Sequence, residues 1–112
     1  MEIISENQNG ILLVRAQGTL NVAYTPQFQE KMQPLVDANP KALVLDCSGI
    51  DYISSIGLRA ILEIGKSLKS KQSKLLLVSP TGLTSQIFEN AGFGLLFGIH
   101  DSMEKAIASV GN

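Results

Sequence analysis

Apolar residues in this chain fall into short continuous runs separated by stretches of helical spacing. Ile11-Leu12-Leu13-Val14-Arg15-Ala16 has the length and content of a strand, with Gly18 as its expected end. Residues 2–6 read as a shorter strand. Asn7-Gln-Asn-Gly10 between them predicts a turn that pairs the two as an antiparallel hairpin. Phe28, Met32, Leu35 and Val36 then recur at the spacing of a helix. Thr25-Pro26 has the form of its start, Thr at the cap and Pro in the first helical position. Pro34 should kink or split that helix, and Asn39-Pro40 should end it. Ala42 to Cys47 is an apolar run interrupted only by Asp46, as expected of a central strand buried on both faces.

A second helix is expected to begin near Ser54 or Ser55. Leu58, Ile61, Leu62 and Leu68 form its apolar stripe, and Arg59, Glu63, Lys66 and Lys69 its polar side. Lys74 to Val78 is a further buried strand. A helix from about Thr81 to Asn90 follows, with Leu83, Ile87 and Phe88 inward and Gly92 as its stop. Leu96 to Ile99 predicts a short strand. His100-Asp101-Ser102 leads into a last helix carrying Met103, Ala106, Ile107 and Val110. The order β β α β α β α β α predicts an α/β fold: a mixed central sheet, mostly parallel with an antiparallel N-terminal edge, covered by about four helices. With 112 residues and no internal repeat, linker or low-complexity stretch, residues 1–112 are expected to form one domain.

Composition narrows the function classes. Apolar residues make up 45% and tryptophan is missing, so the core must be aliphatic. Nine basic and ten acidic residues leave a net charge of -1, without the basic excess or stripe of a nucleic-acid binder. Lys66, Lys69, Lys71 and Lys74 cluster locally, either as a solvated helix end complementing the dipole or as a patch for an acidic partner. Cys47 is the single cysteine, so no internal disulfide can form and a reducing compartment is expected. The N-terminus lacks the layout of a signal peptide, and no apolar run reaches membrane-spanning length. Together these predict a cytoplasmic protein without a membrane span.

Few residues offer chemistry. His100 is the only histidine, and no HExxH, CxxC or paired-histidine spacing is present, so neither a metal nor a cofactor is expected. The sharp serine turn of hydrolases needs glycine two residues to either side. Ser55 has Gly57 after it but Ile53 before it. His100 reads as a loop or cap residue, and Gly92–Gly98 as a helix stop and tight apolar turn. Cys47 reads as a small packed hydrophobe, and Asp46 and Asp51 as turn caps. The segment Asp46-Cys-Ser-Gly-Ile-Asp-Tyr-Ile-Ser-Ser-Ile-Gly-Leu58 stands apart, joining a buried strand to an amphipathic helix through what reads as a small-residue turn. Its serines stand where helix N–H groups lack partners, so they read first as caps, a role compatible with a site for a phosphate. Gly57 would leave an open backbone surface there.

At this segment the sequence resembles the STAS domain family, the fold of bacterial anti-sigma factor antagonists. Gly18-Thr-Leu-Asn21, Thr25-Pro26, Leu43-Val-Leu-Asp46, Tyr52-Ile-Ser-Ser-Ile-Gly-Leu58 and Asn90-Ala-Gly-Phe93 carry the likeness. The resemblance implies a non-enzymatic antagonist that binds an anti-sigma factor serine kinase of the ATP-binding GHKL type when unphosphorylated. Phosphorylation at Ser55 (alternatively Ser54) would release the kinase, and a phosphatase would restore binding. The implied partner surface comprises Asn21, Ser54, Ser55, Ile56, Gly57, Leu58 and Arg59. Better-known members carry Asp at the position of Ser54, and often at that of Asn21. Two alternatives stay open: a non-switching scaffold or accessory subunit of a signalling assembly or lipid transport complex, and a small-ligand site on the backbone donors of residues 54–57.

Overall fold

A computed structural model describes residues 1–110; Gly111 and Asn112, the end of the expected domain, lie outside the described residues. Two antiparallel strands open the chain, β1 (Glu2–Gln8) and β2 (Ile11–Leu20). Asn9 and Gly10 alone form the turn, both at positive φ (54° and 88°), the requirement of a two-residue hairpin loop that follows strand twist. Asn7 accepts the Gly10 N–H through Oδ1 at 3.1 Å, so β1 runs two residues beyond its expected end. There follow α1 (Thr25–Asp37), β3 (Ala42–Ile53), α2 (Ser55–Ser70), β4 (Leu75–Val78), α3 (Gly82–Asn90), α4 (Phe93–Leu96), β5 (Gly98–His100) and α5 (Met103–Val110). The sheet order is β1-β2-β3-β4-β5, antiparallel at the first pair and parallel elsewhere.

Strand alternation divides the apolar residues between two cores. Leu12, Val14, Leu43, Leu45, Leu75 and Leu77 face the larger one, where Phe28, Met32 and Val36 of α1, Ile61 and Leu68 of α2, and Phe88 of α3 meet them. Ile11, Val44, Leu76 and Val78 face the other way, against Ala106 and Val110 of α5. Both faces of the central strands are thus dry, which is why they read as unbroken apolar runs.

Several elements differ from expectation. Pro34 lies inside α1 without splitting it: the bond it forfeits is to the carbonyl of Glu30, on a solvent-facing side where water can replace it. The cap of α1 is Tyr24 rather than Thr25. Thr25 is buried, and its hydroxyl has no hydrogen-bond partner among the described residues. Leu83 is exposed, and Thr84 takes the inward place, donating its hydroxyl to the Ile50 carbonyl at 3.0 Å. Residues 93–96 form a fifth helix, α4, where a turn and the start of a strand were expected, and His100 ends strand β5.

The largest difference concerns the segment expected to be a turn after Cys47. β3 runs on to Ile53, and β2 passes Gly18 to Leu20. Registers Arg15↔Asp46, Gln17↔Gly49, Gly18↔Ile50 and Thr19↔Tyr52 place one extra β3 residue in each of two steps. These are bulges. Asp46 braces the first by accepting the Ser48 N–H at 3.0 Å, and its other oxygen meets Arg15 Nε at 3.3 Å. Asp51 accepts the Thr19 hydroxyl at 2.6 Å. Gly18 sits at φ 125°, which β-carbon-bearing residues rarely adopt. The bulges carry β2 and β3 to a common end and bring the next residues of both together.

Candidate functional site

The site forms where these two strands stop. Ser54 follows β3 in extended conformation, and its N–H donates to the Leu20 carbonyl at 2.8 Å. Its hydroxyl donates to the same carbonyl at 2.9 Å and accepts the Gly57 N–H at 3.2 Å. Ser54 is therefore the cap of α2, and it also ties the helix start to the end of β2. Gly57 completes the seat. A β-carbon there would stand 2.8 Å from the Leu20 carbonyl oxygen and 3.0 Å from Ile53 Cγ2. Gly57 is buried, so its missing side chain serves close packing and does not open a surface, contrary to expectation.

Ser55 begins the helix, is exposed, and makes no side-chain hydrogen bond among the described residues. The amides of Ser55 and Ile56 likewise have no partner there. The first turn of α2 holds no acidic side chain, so the positive end of the helix dipole is left uncompensated. The two serines that looked equivalent have separate situations: one is consumed by the fold, the other is free.

Asn21 shapes the opposite side of the site. Its Oδ1 accepts the Tyr24 N–H at 2.9 Å and its carbonyl accepts the Thr25 N–H at 3.0 Å, building the turn that launches α1. Of the residues expected at the surface, Ser55, Ile56 and Arg59 are exposed, Asn21, Ser54 and Leu58 half-buried, and Gly57 buried. The structure adds Val22 (67% exposed), Tyr24 and Tyr52, which stand out at the same end of the sheet. Sequence reasoning used Tyr52 only to carry the likeness and passed over Val22 and Tyr24, whose signal was an apolar pair between Asn21 and Pro26 that fits neither a strand run nor the helical stripe of α1.

Other groups lie elsewhere or are inert. Cys47 is fully buried, and burial pushes its thiol up to about 12. His100 sits at the end of β5, beside Ser79 and Asp101. Among the described residues no group of three or more His, Cys, Asp or Glu side chains could hold a metal ion. No helix among them is long and apolar enough to cross a membrane.

Residues 2–106 match the family model described as the STAS domain. The chain belongs to the STAS domain family. BtrV of Bordetella bronchiseptica, provisionally named an anti-sigma factor antagonist, is 33% identical over 109 residues, covering 97% of this chain and 94% of BtrV. An anti-sigma factor antagonist from Mycobacterium paratuberculosis superposes with a TM-score of 0.90 at 20% identity, over 99% of this chain and 94% of that one. The unphosphorylated form of the anti-sigma factor antagonist SpoIIAA of Bacillus superposes at 0.81 with 17% identity, over 97% of this chain and 96% of that one. SpoIIAA is also known in a phosphorylated form, at a TM-score of 0.74 and the same 17% identity, over 97% of this chain and 99% of that one. This fold is the one expected, a single mixed sheet with an antiparallel N-terminal edge, with five helices in place of about four.

Proposed function

We propose that this protein is a cytoplasmic anti-sigma factor antagonist without enzymatic activity of its own, switched off by phosphorylation of Ser55. One observation carries the reading: Ser54 supplies the whole cap of α2, leaving Ser55 as an exposed hydroxyl with no structural duty, beside an apolar rim of Val22, Tyr24, Tyr52 and Ile56. The names of BtrV and SpoIIAA and the phosphorylated form of SpoIIAA support it. The partner is an anti-sigma factor serine kinase of the GHKL type, and a phosphatase reverses the modification. Asn21, Ser54, Leu58 and Arg59 border the contact, and Gly57 supports it from beneath.

The physical mechanism needs no conformational change. Unmodified, the rim offers apolar area whose burial drives docking. Phosphorylation adds about 1.5 to 2 negative charges at Ser55. In the free chain the unpartnered amides and the helix dipole stabilise that charge. Against a docked partner the same group would lose its water, and burying an unpaired charge costs several kcal/mol. The modification therefore selects against the complex while leaving the fold intact.

Incubation with ATP and the anti-sigma kinase of its host tests this. Wild type should gain one phosphate, Ser55→Ala none, and Ser55→Asp should bind the kinase at least tenfold more weakly. Phosphorylation of Ser55→Ala to the wild-type extent would show the site to be wrong. Undiminished binding by Ser55→Asp would refute the switch and favour a non-switching scaffold.

A further inference from the structure

A second surface lies away from Ser55, around α4 and β5. Phe93 and Phe97, one helical turn apart, anchor α4 from inside. Phe93 stacks on Phe88 with ring centroids 5.3 Å apart and meets Phe97 edge-on at 5.4 Å. Phe97 lies over Gly65, where a β-carbon would fall within 2.6 Å of the ring. With both aromatics inward, the leucines between them point to solvent: Leu95 is 94% exposed and Leu96 59%, with Ile99 of the edge strand beside them. They form a ridge between two hollows. The hollow on the Leu95 side, about 380 Å³, is lined by Pro80, Gly94, Leu95, Ile99 and Glu89 among others. The one on the Leu96 side, about 300 Å³, is lined by Leu76, Leu96, Phe97, Lys69 and Lys74 among others.

The two flanks carry opposite charge, acidic at Glu89 and basic at Lys69 and Lys74. That arrangement is complementary to itself. A two-fold axis lying along the ridge turns one flank onto the other. Leu96 of each copy then faces the larger hollow of its mate and Leu95 the smaller, and the basic flank of each comes over the acidic flank of the other, the reciprocal pairing an isologous interface requires. A net charge of -1 opposes this association only weakly. We infer that the α4–β5 ridge is a self-association surface whose occupant is a second copy of this chain. Gly65, beneath the ridge, lies ten residues along α2 from Ser55, about 15 Å. Both copies therefore keep Ser55 accessible, and the proposal is independent of the phosphoswitch.

Sedimentation of the full chain from micromolar to millimolar concentration, at low salt, tests this. The mass should rise with concentration from one chain toward two. Leu95→Asp should keep the circular dichroism of wild type and weaken dimerisation at least tenfold. Glu89→Lys should weaken it too, as should Lys69→Glu with Lys74→Glu, and the combined triple variant should regain it at least in part. A mass fixed at one chain throughout overturns the proposal and leaves the ridge to a different protein. A dimer indifferent to Leu95→Asp, or a triple variant no better than its parents, overturns the two-fold arrangement on which it rests.

Discussion

Replacing each of the two adjacent serines by alanine should give sharply unequal results. Ser54→Ala removes a hydroxyl that both donates to Leu20 and accepts from Gly57. Loss of a serine cap costs about 1 kcal/mol, within a range of about 0.5 to 2. The Leu20 carbonyl keeps the Ser54 N–H, so only the Gly57 amide is orphaned, in a bond whose Ser54 side is half-buried. A total near 1.5 kcal/mol is expected. An unfolding entropy of about 2.1 cal/mol/K per residue gives roughly 0.23 kcal/mol/K for a chain of this size, so Tm should fall by about 6 °C. Ser55→Ala removes a solvated hydroxyl without a partner and should change stability by less than about 0.5 kcal/mol, or about 2 °C. Ser54→Asp separates capping from the hydroxyl: it can still accept the Gly57 N–H but cannot donate to Leu20, and should recover more than half the loss. Thermal unfolding followed by circular dichroism, with urea titration for free energies, reads all three. Equal losses at positions 54 and 55, or a larger one at Ser55, would refute the division of roles on which the proposed switch depends.

Two further outcomes follow from the same geometry. Gly57→Ala gains about 1 kcal/mol in helix propensity but forces a methyl group against the Leu20 carbonyl and Ile53, and overpacking costs about 1 to 3 kcal/mol; a net loss of about 1 kcal/mol in urea titration is expected, and a gain in stability would show the α2 seat to be looser than described. Burial raises the Cys47 thiol from its ordinary 9.0 to about 12, so the folded state holds a proton that the unfolded state releases between those values; this contribution is intact below about pH 9 and falls by up to about 1.4 kcal/mol per pH unit above it. The stability difference between wild type and Cys47→Ala, followed from pH 8 to 11, should therefore shrink, and a flat difference would mean that the thiol is solvated.

The sheet was legible because both of its faces are covered: runs such as Leu43–Leu45 and Leu75–Val78 have no other stable place in a chain this size. The helices declared themselves by spacing. What was hidden depended on pairing between distant residues. Asp46-Cys-Ser-Gly49 uses turn residues because a bulge demands them as a turn does, and only the neighbour strand tells the two apart. Thr25-Pro26 looks like a capped start, yet Asn21 builds the preceding turn and sends Thr25 into the core. Leu83 and Thr84 exchanged places because the buried Ile50 carbonyl at the bulge takes the threonine hydroxyl. At the proposed site, the likeness pointed to a segment, but neighbouring serines have identical chemistry. Their separation into cap and free hydroxyl required the Leu20 carbonyl, 34 residues away in sequence.

The same geometry explains what Asn21 and Ser54 do where better-known relatives carry aspartates. Asn21 Oδ1 makes the bond to Tyr24 that a carboxylate would make, and Ser54 caps α2 as an aspartate could. Both hydrogen-bonding duties are kept while two negative charges are dropped. The carboxylate nearest in sequence is then Asp51, held by Thr19. Each omitted charge would have opposed the phosphate: two unit charges about 6 Å apart repel by about 0.7 kcal/mol in water-like surroundings. On the proposed reading, the surface around Ser55 therefore changes from nearly neutral to strongly anionic in one step, and the unmodified form offers a partner little charge to steer by. Recognition then rests on Val22, Tyr24, Tyr52 and Ile56. Association of the unmodified chain with its kinase should accordingly vary little with salt, because steering weakens with screening while apolar contact does not.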